Sequence, residues 1–559
     1  MAAKSWWCAA IVTIALLGCS KKQPEPDRKT GSSAVKPPVA GPPLELSILY
    51  GSEKKTWLEE QIAAFNTSAA KTRDGRPIAA KGKAMGSGEA MTAILDGSEK
   101  PIVFSPASGA YITLLDEAWQ RTGKPKPLAP AGEPVVLSPI VIAMWRPMAE
   151  ALGWPGKPIG WKDIIEVSKN PKGWGALGRP EWGALKLGHT HPEYSNSGLL
   201  SVLAEAYAGA GTTRGLTVAA IPKLEPFMAA VEDAIVHYGK STGFFADKMI
   251  ERGTGYLSAA VLYENLVIES YAKSPKQPLV AIYPVEGTFW SDHPYSVLDA
   301  EWVDAGEREA AAAFLAFLKA RPAQERAMAL GFRPVDASIK VGAPIDAAHG
   351  VDPLQPQTLL EVPDGPTLEA LIAAWKKTKK PADIVFVFDK SGSMDGRPLE
   401  EAKTAAKAFL ASLDPRDSVT LMFFDGNVYP PYGPFEVGKH KADLESRIDG
   451  VSASGETAVY EATYAAYQLL DGRRKASAHR IRAAVVMTDG ADNKSKHSLD
   501  QVRAEIGGED RAATIFTIAY GAAPSRDALQ GLAADGGGSF SEGNVDSIIQ
   551  IYRDLASFF

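Results

Sequence analysis

Short apolar runs alternate with longer amphipathic stretches along most of this chain. From residue 383 onward the alternation is regular, and it predicts strands at 384–388, 418–424, 483–488 and 513–520 with helices between them. The first run, Ile-Val-Phe-Val-Phe, is apolar at every position, which is typical of a strand buried on both faces of a parallel sheet. The pattern therefore predicts a doubly wound α/β domain over residues 381–559.

The preceding part of the chain shows a looser alternation of the same kind. Its predicted strands and helices include 46–50, 56–66, 101–105, 135–138, 199–208 and 307–320. Strand–turn–helix units of this type predict a mostly parallel sheet with helices on its faces, here over residues 44–345. Residues 335–365 are rich in Pro, Gly and Asp, so we expect 346–380 to form a linker that ends in a connecting helix.

The amino terminus has the features of a targeting segment. Lys4 precedes the apolar stretch 5–17, which is too short to cross a bilayer as a helix. Leu-Leu-Gly-Cys at 16–19 resembles a bacterial lipobox, which implies that 1–18 is a signal peptide and that Cys19 is lipidated. Residues 19–43 would then be a Pro-rich tether. The alternative is an ordinary signal peptide followed by an incidental cysteine.

The composition limits the kinds of partner that the protein can bind and the cellular compartment in which it is expected. The net charge of −6 argues against nucleic-acid binding, which needs a basic surface. The chain has two cysteines, Cys8 and Cys19, so a processed protein would contain no disulfide and no cysteine-based metal site. By resemblance to enterobacterial lipoprotein sorting, Ser20 in place of Asp after the lipobox cysteine favours the outer membrane over the inner. The expected location is the bacterial cell envelope, either the outer membrane or the outer face of the cytoplasmic membrane.

Oxygen-bearing side chains follow two of the predicted strands. Asp389, Ser391 and Ser393 come directly after 384–388, and Asp489 ends the strand at 483–488. Thr457 opens a predicted helix and offers a third hydroxyl. Carboxylate and hydroxyl oxygens are hard ligands that suit Mg²⁺ or Mn²⁺. The alternative is that these residues only form turns and cap helices.

The motifs DKSGSM at 389–394 and MTDGADN at 487–493 resemble the metal-ion-dependent adhesion site of von Willebrand factor type A (VWA) domains. The resemblance implies a Rossmann-like fold for the carboxyl-terminal domain. It also implies that Ser391, Ser393 and Thr457 contact the metal directly, whereas Asp389 and Asp489 often act through water. A protein partner would complete the octahedron with an Asp or Glu.

The amino-terminal module resembles bacterial extracellular solute-binding proteins, which have the type 2 periplasmic-binding fold. The resemblance rests on Gly-Ser at 51–52, Gly-Ser-Gly at 86–88, Ser-Asn-Ser-Gly at 195–198 and Tyr-Glu-Asn at 263–265. It implies two α/β lobes with a ligand cleft between them.

Strand ends and helix starts supply the candidate solute ligands of this cleft. Helix amino termini present free N–H groups, so hydroxyls beside them can help to hold an oxyanion or a polar solute. The alternative for each serine is that it only caps a helix and binds no solute. Glu264 would oppose an anion and favour a polyol or a cation. The candidate solute-binding residues are Ser52, Ser87, Ser105, Ser197 and Glu264.

His189 and His191 could present two imidazoles on one face of a strand, but the sequence offers no third metal ligand nearby. Asp389 does not fit the role of nucleophile in a haloacid-dehalogenase-type phosphatase. Those enzymes need a second acidic residue two positions later, and this chain has Ser391 there. We therefore expect a non-enzymatic binding lipoprotein with a solute-binding module and a partner-binding VWA domain. The alternative is the solute receptor of an ABC-type uptake system, with the VWA domain as a docking module.

Overall fold

Three β-sheets, two in the first module and one in the second, organise the protein in this computed structural model. The structure describes residues 42–559 except 125, 274–275, 478, 508–510, 522, 545–546 and 557. The predicted signal peptide, Cys19 and nearly all of the predicted tether therefore lie outside the described residues. None of the described helices combines the length and the hydrophobicity that crossing a bilayer requires.

The first module has eleven strands and twelve α-helices among its described residues. The strands are β1 Leu44–Gly51, β2 Ile78–Met85, β3 Val103–Ser105, β4 Glu133–Pro134, β5 Ser138–Trp145, β6 Leu187–Thr190, β7 Ile235–Gly239, β8 Ala259–Tyr263, β9 Leu279–Ile282, β10 Trp290–Ser291 and β11 Pro294–Val297. The helices are α1 Lys55–Thr67, α2 Ser87–Leu95, α3 Ala110–Arg121, α4 Arg146–Leu152, α5 Trp161–Lys169, α6 Asn196–Ala210, α7 Glu225–Glu232, α8 Thr242–Arg252, α9 Glu264–Ala272, α10 Ala305–Lys319, α11 Arg321–Ala329 and α12 Gly365–Thr378.

These strands form two lobes. The first sheet has the order β2-β1-β3-β11-β4, and the second has the order β10-β5-β8-β6-β7 with β9 also paired to β5. The chain crosses from one sheet to the other between β4 and β5 and returns between β10 and β11. Both crossings are short, so the carboxyl ends of the parallel strands in the two lobes face a common interlobe region. This two-lobed α/β arrangement confirms the predicted fold class.

The second module is a six-stranded sheet flanked by helices. Its strands are β12 Ala382–Asp389, β13 Ser418–Phe424, β14 Tyr432–Glu436, β15 Ile481–Thr488, β16 Thr514–Tyr520 and β17 Gly537–Gly543. Its helices are α13 Arg397–Ser412, α14 Val437–Asp449, α15 Val459–Gly472, α16 Leu499–Ile506, α17 Arg526–Asp535 and α18 Ile548–Ala556. The strand order is β14-β13-β12-β15-β16-β17, and β14 pairs antiparallel whereas the other pairs are parallel.

The central strand β12 explains why the apolar run at 384–388 is uninterrupted. Phe386 and Phe388 lie in the hydrophobic cluster that contains Phe409 of α13, whereas Val385 and Val387 lie in a second cluster with residues of α15. Alternate side chains of a strand point to opposite faces, so both sets are buried at once. Burial on both faces fixes β12 in the middle of the sheet and places Asp389 at its carboxyl edge.

The segment 346–380, predicted to be a linker with a connecting helix, is packed on the first module and contains α12. Gly350 accepts a backbone hydrogen bond from Ala281 at 2.8 Å, and Leu360 donates one to Thr288 at 2.9 Å. Helix α12 packs against α6 and α7, and its Trp375 is fully buried. Apolar side chains spaced along this Pro-rich segment supply the packing that composition alone does not reveal.

Two predicted strand assignments also differ from the structure. Residues 135–137 are extended but outside the sheets, and the strand predicted at 135–138 begins only at Ser138. Strand β17 was absent from the prediction, because Gly-Gly-Ser-Phe-Ser-Glu-Gly has few apolar side chains to mark a strand. As an edge strand it needs less apolar surface than the central strands.

Candidate functional site

The predicted metal-binding residues of the second module converge at the carboxyl edge of its sheet. Strands β12 and β15 are adjacent and parallel, so Asp389 and Asp489 leave the sheet side by side. Thr457 comes from the loop just before α15 and reaches the same edge. The fold thus brings all five predicted oxygen ligands into one small region, although about 100 residues separate the first from the last.

Hydrogen bonds connect four of these residues. Ser391 and Ser393 have their Oγ atoms 3.1 Å apart, and Ser393 donates to Oδ1 of Asp489 at 2.6 Å. Asp389 accepts from the backbone N–H of Ser391 at 2.7 Å and from the hydroxyl of Thr488 at 2.5 Å. These bonds fix the carboxylates and turn hydroxyl lone pairs toward the same space.

Thr457 completes the group through a close approach to Gly490. A Cβ on Gly490 would stand 2.9 Å from Oγ1 of Thr457 and 3.6 Å from Oγ of Ser393. The backbone N–H of Thr457 donates to the side-chain oxygen of Asn493 at 2.9 Å. Gly490 and Asn493, which sequence reasoning did not single out, therefore position the third hydroxyl. Both belong to the motif at 487–493, so the sequence contained a signal that could have identified them.

The electrostatics of the two aspartates suit a cation site. Burial raises the pKa of Asp389 to about 6, against the hydrogen bonds from Thr488 and Ser391 that lower it. Burial also raises the pKa of Asp489. Asp389 is fully buried, although it lies at the end of its strand. Two carboxylates and three hydroxyls fit an octahedral divalent ion with hard-ligand preference, such as Mg²⁺ or Mn²⁺.

A lysine stands beside this group. The ammonium of Lys390 donates to Oδ2 of Asp425 at 2.6 Å and lies 4.6 Å from the ring centre of Tyr429. The hydroxyl of Tyr429 donates to the same carboxylate oxygen at 2.7 Å. Lys390 is the residue between Asp389 and Ser391, and its ammonium also donates to the hydroxyl of Ser454 at 3.0 Å.

The interlobe region of the first module is closed by direct contacts between the lobes. At the start of α2, the N–H groups of Gly88 and Glu89 both donate to the carbonyl of Tyr194 in the opposite lobe, at 3.0 and 3.1 Å. At the start of α8, the N–H of Gly243 donates to Oγ of Ser52 at 3.2 Å. Two helix amino termini that could hold a solute thus hold the partner lobe in this arrangement.

The four predicted serines are all buried near these helix starts and strand ends. Ser52 faces α8 across the lobes, and Ser87 accepts the N–H of Ala107 within the first lobe at 3.0 Å. Ser197 lies 2.8 Å from the hydroxyls of both Thr190 and Thr242 in the second lobe. Ser105 ends β3 at the same interlobe edge. Ser52 and Ser197 both neighbour the start of α8, whereas Ser87 serves the first lobe internally.

Glu264 does not present a free charge to the cleft. Its two carboxylate oxygens accept from Nε and Nη2 of Arg333 at 2.9 and 2.8 Å, and the pair is buried. The expectation that Glu264 opposes an anion is therefore wrong, because the guanidinium 69 positions away neutralises the carboxylate. Sequence reasoning could not find this partner, since it comes from the segment after α11.

Three charged or titratable residues that the sequence did not single out fill the interlobe region instead. The ammonium of Lys54 is fully buried and donates to Oε1 of Glu53 at 2.9 Å and to the carbonyl of Pro106 at 3.3 Å. His293 approaches the same carboxylate oxygen at 3.2 Å. Burial alone would raise the pKa of Glu53, but Lys54 and His293 outweigh it and lower the pKa to about 2. Glu53 and Lys54 directly follow Gly-Ser at 51–52, which was the signal for them in the sequence, whereas His293 had none.

Comparison with known families covers most of the chain. A family model described as bacterial extracellular solute-binding protein matches residues 46–333, and one described as von Willebrand factor type A domain matches residues 383–554. Inter-alpha-trypsin inhibitor heavy chain H4 of Homo sapiens is 28% identical over 194 residues, which cover 32% of this chain and 20% of that protein. The chain therefore spans about a fifth of the length of this relative.

Solved structures match each module separately. A periplasmic thiamin binding protein superposes with a TM-score of 0.43 and 14% identity, covering 60% of this chain and 96% of that chain. A von Willebrand factor type A protein from Catenulispora acidiphila superposes with a TM-score of 0.27 and 17% identity, covering 32% of this chain and 42% of that chain.

Proposed function

The chain belongs to the bacterial extracellular solute-binding proteins and continues into a von Willebrand factor type A domain, and from this we propose that it is a non-enzymatic binding protein of the cell envelope. Its VWA domain would bind a protein partner through a divalent cation. Its amino-terminal module would bind a small solute. A lipid on Cys19 would tether both modules to the membrane.

The observation that carries the proposal is the convergence of five oxygen-bearing residues at one sheet edge. In this proposal Ser391, Ser393 and Thr457 supply neutral hydroxyl ligands, and Asp389 and Asp489 act through water. Neutral direct ligands leave the ion much of its pull on an incoming anion, which is on the order of a few kcal/mol at close range with water partly excluded. A carboxylate from an Asp or Glu of the partner would take the remaining position of Mg²⁺ or Mn²⁺.

Lys390 adds little positive charge for such a partner group, because its ammonium is paired with the carboxylate of Asp425 at 2.6 Å. The proposed attraction of an anionic partner therefore depends on the metal. Since opposite potentials favour encounter and correct orientation, a partner surface rich in Asp and Glu suits this edge of the domain. Nucleic acid is not among the proposed partners.

The proposed solute site needs the lobes to separate. The carbonyl of Tyr194 and the hydroxyl of Ser52 occupy the amino termini of α2 and α8, and a solute would have to replace them. The match of a solute-binding family model over residues 46–333 also favours a second candidate, the receptor of an ABC-type uptake system with the VWA domain as a docking module. That candidate requires solute binding, whereas the adhesion proposal requires metal-dependent partner binding.

Partner capture from envelope extract with immobilised protein tests the main proposal. Capture is expected with Mg²⁺ or Mn²⁺, and it should disappear with EDTA and in Ser393→Ala. Ser412→Ala is the matched control, because Ser412 only bonds the carbonyl of Ala408 on the exposed face of α13. A captured partner that survives both EDTA and Ser393→Ala would contradict metal-mediated binding. A thermal-shift screen of oxyanions, sugars, polyamines and peptides, repeated with Ser197→Ala, tests the solute role separately.

A further inference from the structure

Three ionisable side chains meet inside the second lobe of the first module, away from both sites described above. They are His189 of β6, Glu205 of α6 and Glu232 at the end of α7, and each is fully buried. One ligating atom from each of the three lies within 4.8 Å of the other two. We call this group the β6–α6–α7 cluster.

The outer atom of each side chain is held by a neighbour. Nδ1 of His189 lies 2.7 Å from the carbonyl of Thr190, to which it donates. The hydroxyl of Ser201 donates to Oε1 of Glu205 at 3.0 Å, and the hydroxyl of Tyr238 donates to Oε2 of Glu232 at 2.5 Å. Metal-ligating histidines and carboxylates in proteins are oriented by outer partners of this kind.

The remaining atoms of the cluster face one another. Nδ1 of His189 donates to Thr190, so a neutral His189 points the lone pair of Nε2 at Oε1 of Glu232, 3.1 Å away. Oε2 of Glu205 is buried and has no hydrogen-bond partner among the described residues. A second proton on His189 would satisfy the contact with Glu232 but not Oε2 of Glu205, and a buried acceptor without a partner is costly. A metal ion between the three side chains would satisfy all of these atoms.

Nearby cations do not meet this need. Within the described part of the chain, neither glutamate forms an ion pair with a lysine or an arginine, and His189 is the only ion-pair partner of Glu232. Lys380 is close to α7, but its ammonium donates to the carbonyl of Ile235 at 3.1 Å. Two ionised, fully buried carboxylates would thus carry two negative charges, and a protonated His189 would balance only one of them.

We propose that the β6–α6–α7 cluster binds a divalent transition metal, with Zn²⁺ as the best fit and Mn²⁺ as the alternative. One imidazole and two carboxylates are ligands that both ions accept, and a +2 charge balances the two glutamates. Metal–ligand bonds of about 2.0–2.2 Å place neighbouring ligand atoms a little over 3 Å apart. The 3.1 Å between His189 and Glu232 matches this spacing, and Glu205 needs only a small shift inward.

A metal in this position would tie β6, α6 and α7 together inside the lobe. Because all three ligands have no exposed surface, the ion would enter during folding and would exchange slowly afterwards. The candidate centre of the VWA domain differs in both respects, since its ligands are hard oxygens at a sheet edge that a partner must reach. The two metals should therefore respond differently to a chelator.

The test is the metal content of the full chain, folded in the presence of Zn²⁺, dialysed against EDTA without denaturant and measured by mass spectrometry. We expect about one zinc per chain to survive dialysis in the wild type and in Ser393→Ala. In Glu205→Gln and His189→Gln the retained zinc should fall at least tenfold. Wild-type protein that retains no zinc, and also no manganese when Mn²⁺ replaces Zn²⁺, would overturn the proposal without reference to any variant.

Stability distinguishes a metal from a buried proton in the same place. Glutamine closely resembles a protonated glutamate, so Glu205→Gln should leave the unfolding midpoint unchanged or higher if the cluster holds only protons. If it holds a metal, the midpoint should fall and zinc should no longer raise it. Residues 381–559 contain no tryptophan, so tryptophan fluorescence reports on the first module alone. An unchanged midpoint in Glu205→Gln would overturn the proposal.

Discussion

Ser393 donates its hydroxyl proton to Oδ1 of Asp489 at 2.6 Å, although the two residues are 96 positions apart. This bond defines the direction of the hydroxyl. Because Ser393 donates to the carboxylate, the contact with Ser391 at 3.1 Å uses one of its oxygen lone pairs and the other is left for a cation. Asp489 is held in place as the outer partner. One hydrogen bond between two strand ends thus prepares a neutral ligand and orients an anionic one.

Ser393→Ala is expected to weaken Mg²⁺ or Mn²⁺ binding by about tenfold to a hundredfold, because it removes a ligand and the donor that orients Asp489. Isothermal titration with Mn²⁺ measures the change. The fold should be retained, since only a small side chain at the rim is lost. Ser412→Ala should bind metal like the wild type, and equal affinities in all three proteins would exclude Ser393 from the site.

Gly490→Ala is expected to weaken the same metal binding without changing any ligand. The added methyl group would stand 2.9 Å from Oγ1 of Thr457, which is closer than van der Waals contact allows, so the Thr457 loop must move outward. Gly472→Ala is the matched control, because a Cβ there meets nothing within 4 Å. Mn²⁺ titration of both variants decides the matter, and identical affinities would mean that Thr457 is not a ligand.

Lys54→Met is expected to destabilise the first module by about 3–5 kcal/mol, because it leaves the carboxylate of Glu53 buried beside an apolar side chain. Lys55→Met is the matched control. Lys55 is half exposed and pairs with Glu59 at the surface, so its loss should cost less than about 1 kcal/mol. Urea unfolding followed by tryptophan fluorescence compares them. Equal losses would show that the buried pair does not stabilise the closed lobes.

The stability of the first module should fall with acid below about pH 6.5. Burial lowers the pKa of His237 to about 3, with Arg511 and Arg252 adding to the effect. Between this value and the unfolded value near 6.5, the unfolded chain binds the proton and the folded chain does not. The free energy of unfolding therefore decreases by about 1.4 kcal/mol per pH unit for this residue.

Substitution separates His237 from the other histidines. Burial also lowers the pKa of His191 and of His293, so part of the slope will remain in any single variant. His237→Gln keeps an acceptor for the hydroxyl of Tyr256 and should reduce the slope between pH 6 and 4.5 by about one proton. His440→Gln is the matched control, because His440 lies in α14 of the second module and its loss should not change the stability of the first. An unaltered slope in His237→Gln would contradict a neutral buried imidazole.

Cys19→Ser is expected to leave the protein unprocessed or to release it from the detergent-soluble membrane fraction. The reason is that diacylation of this cysteine would supply the second hydrophobic signal that stable anchoring requires. Fractionation of cells that express the variant and the wild type measures the change. The same distribution for both proteins would remove the lipobox interpretation of residues 16–19.

The hydrophobic pattern of the sequence determined the four buried parallel strands β12, β13, β15 and β16 of the second module and the position of its candidate ligands. Strand β12 is apolar on both faces and ends in an aspartate. A few adjacent residues therefore predict that it lies inside a parallel sheet and that Asp389 lies at the carboxyl end of the strand. Strand β13 was predicted with its observed bounds for the same reason. Local periodicity is enough to predict these features because the residues that mark each of them lie within one turn or one strand.

Tertiary structure alone decided which distant side chains meet. Arg333 neutralises Glu264, Lys54 and Glu53 fill the interlobe region, and Glu205 and Glu232 reach His189 from two different helices. The sequence records each of these residues but not its partner, because a contact between elements depends on how all the faces pack together. Strand β17 escaped prediction for the same reason, since its pairing with β16, and not its own side chains, stabilises it.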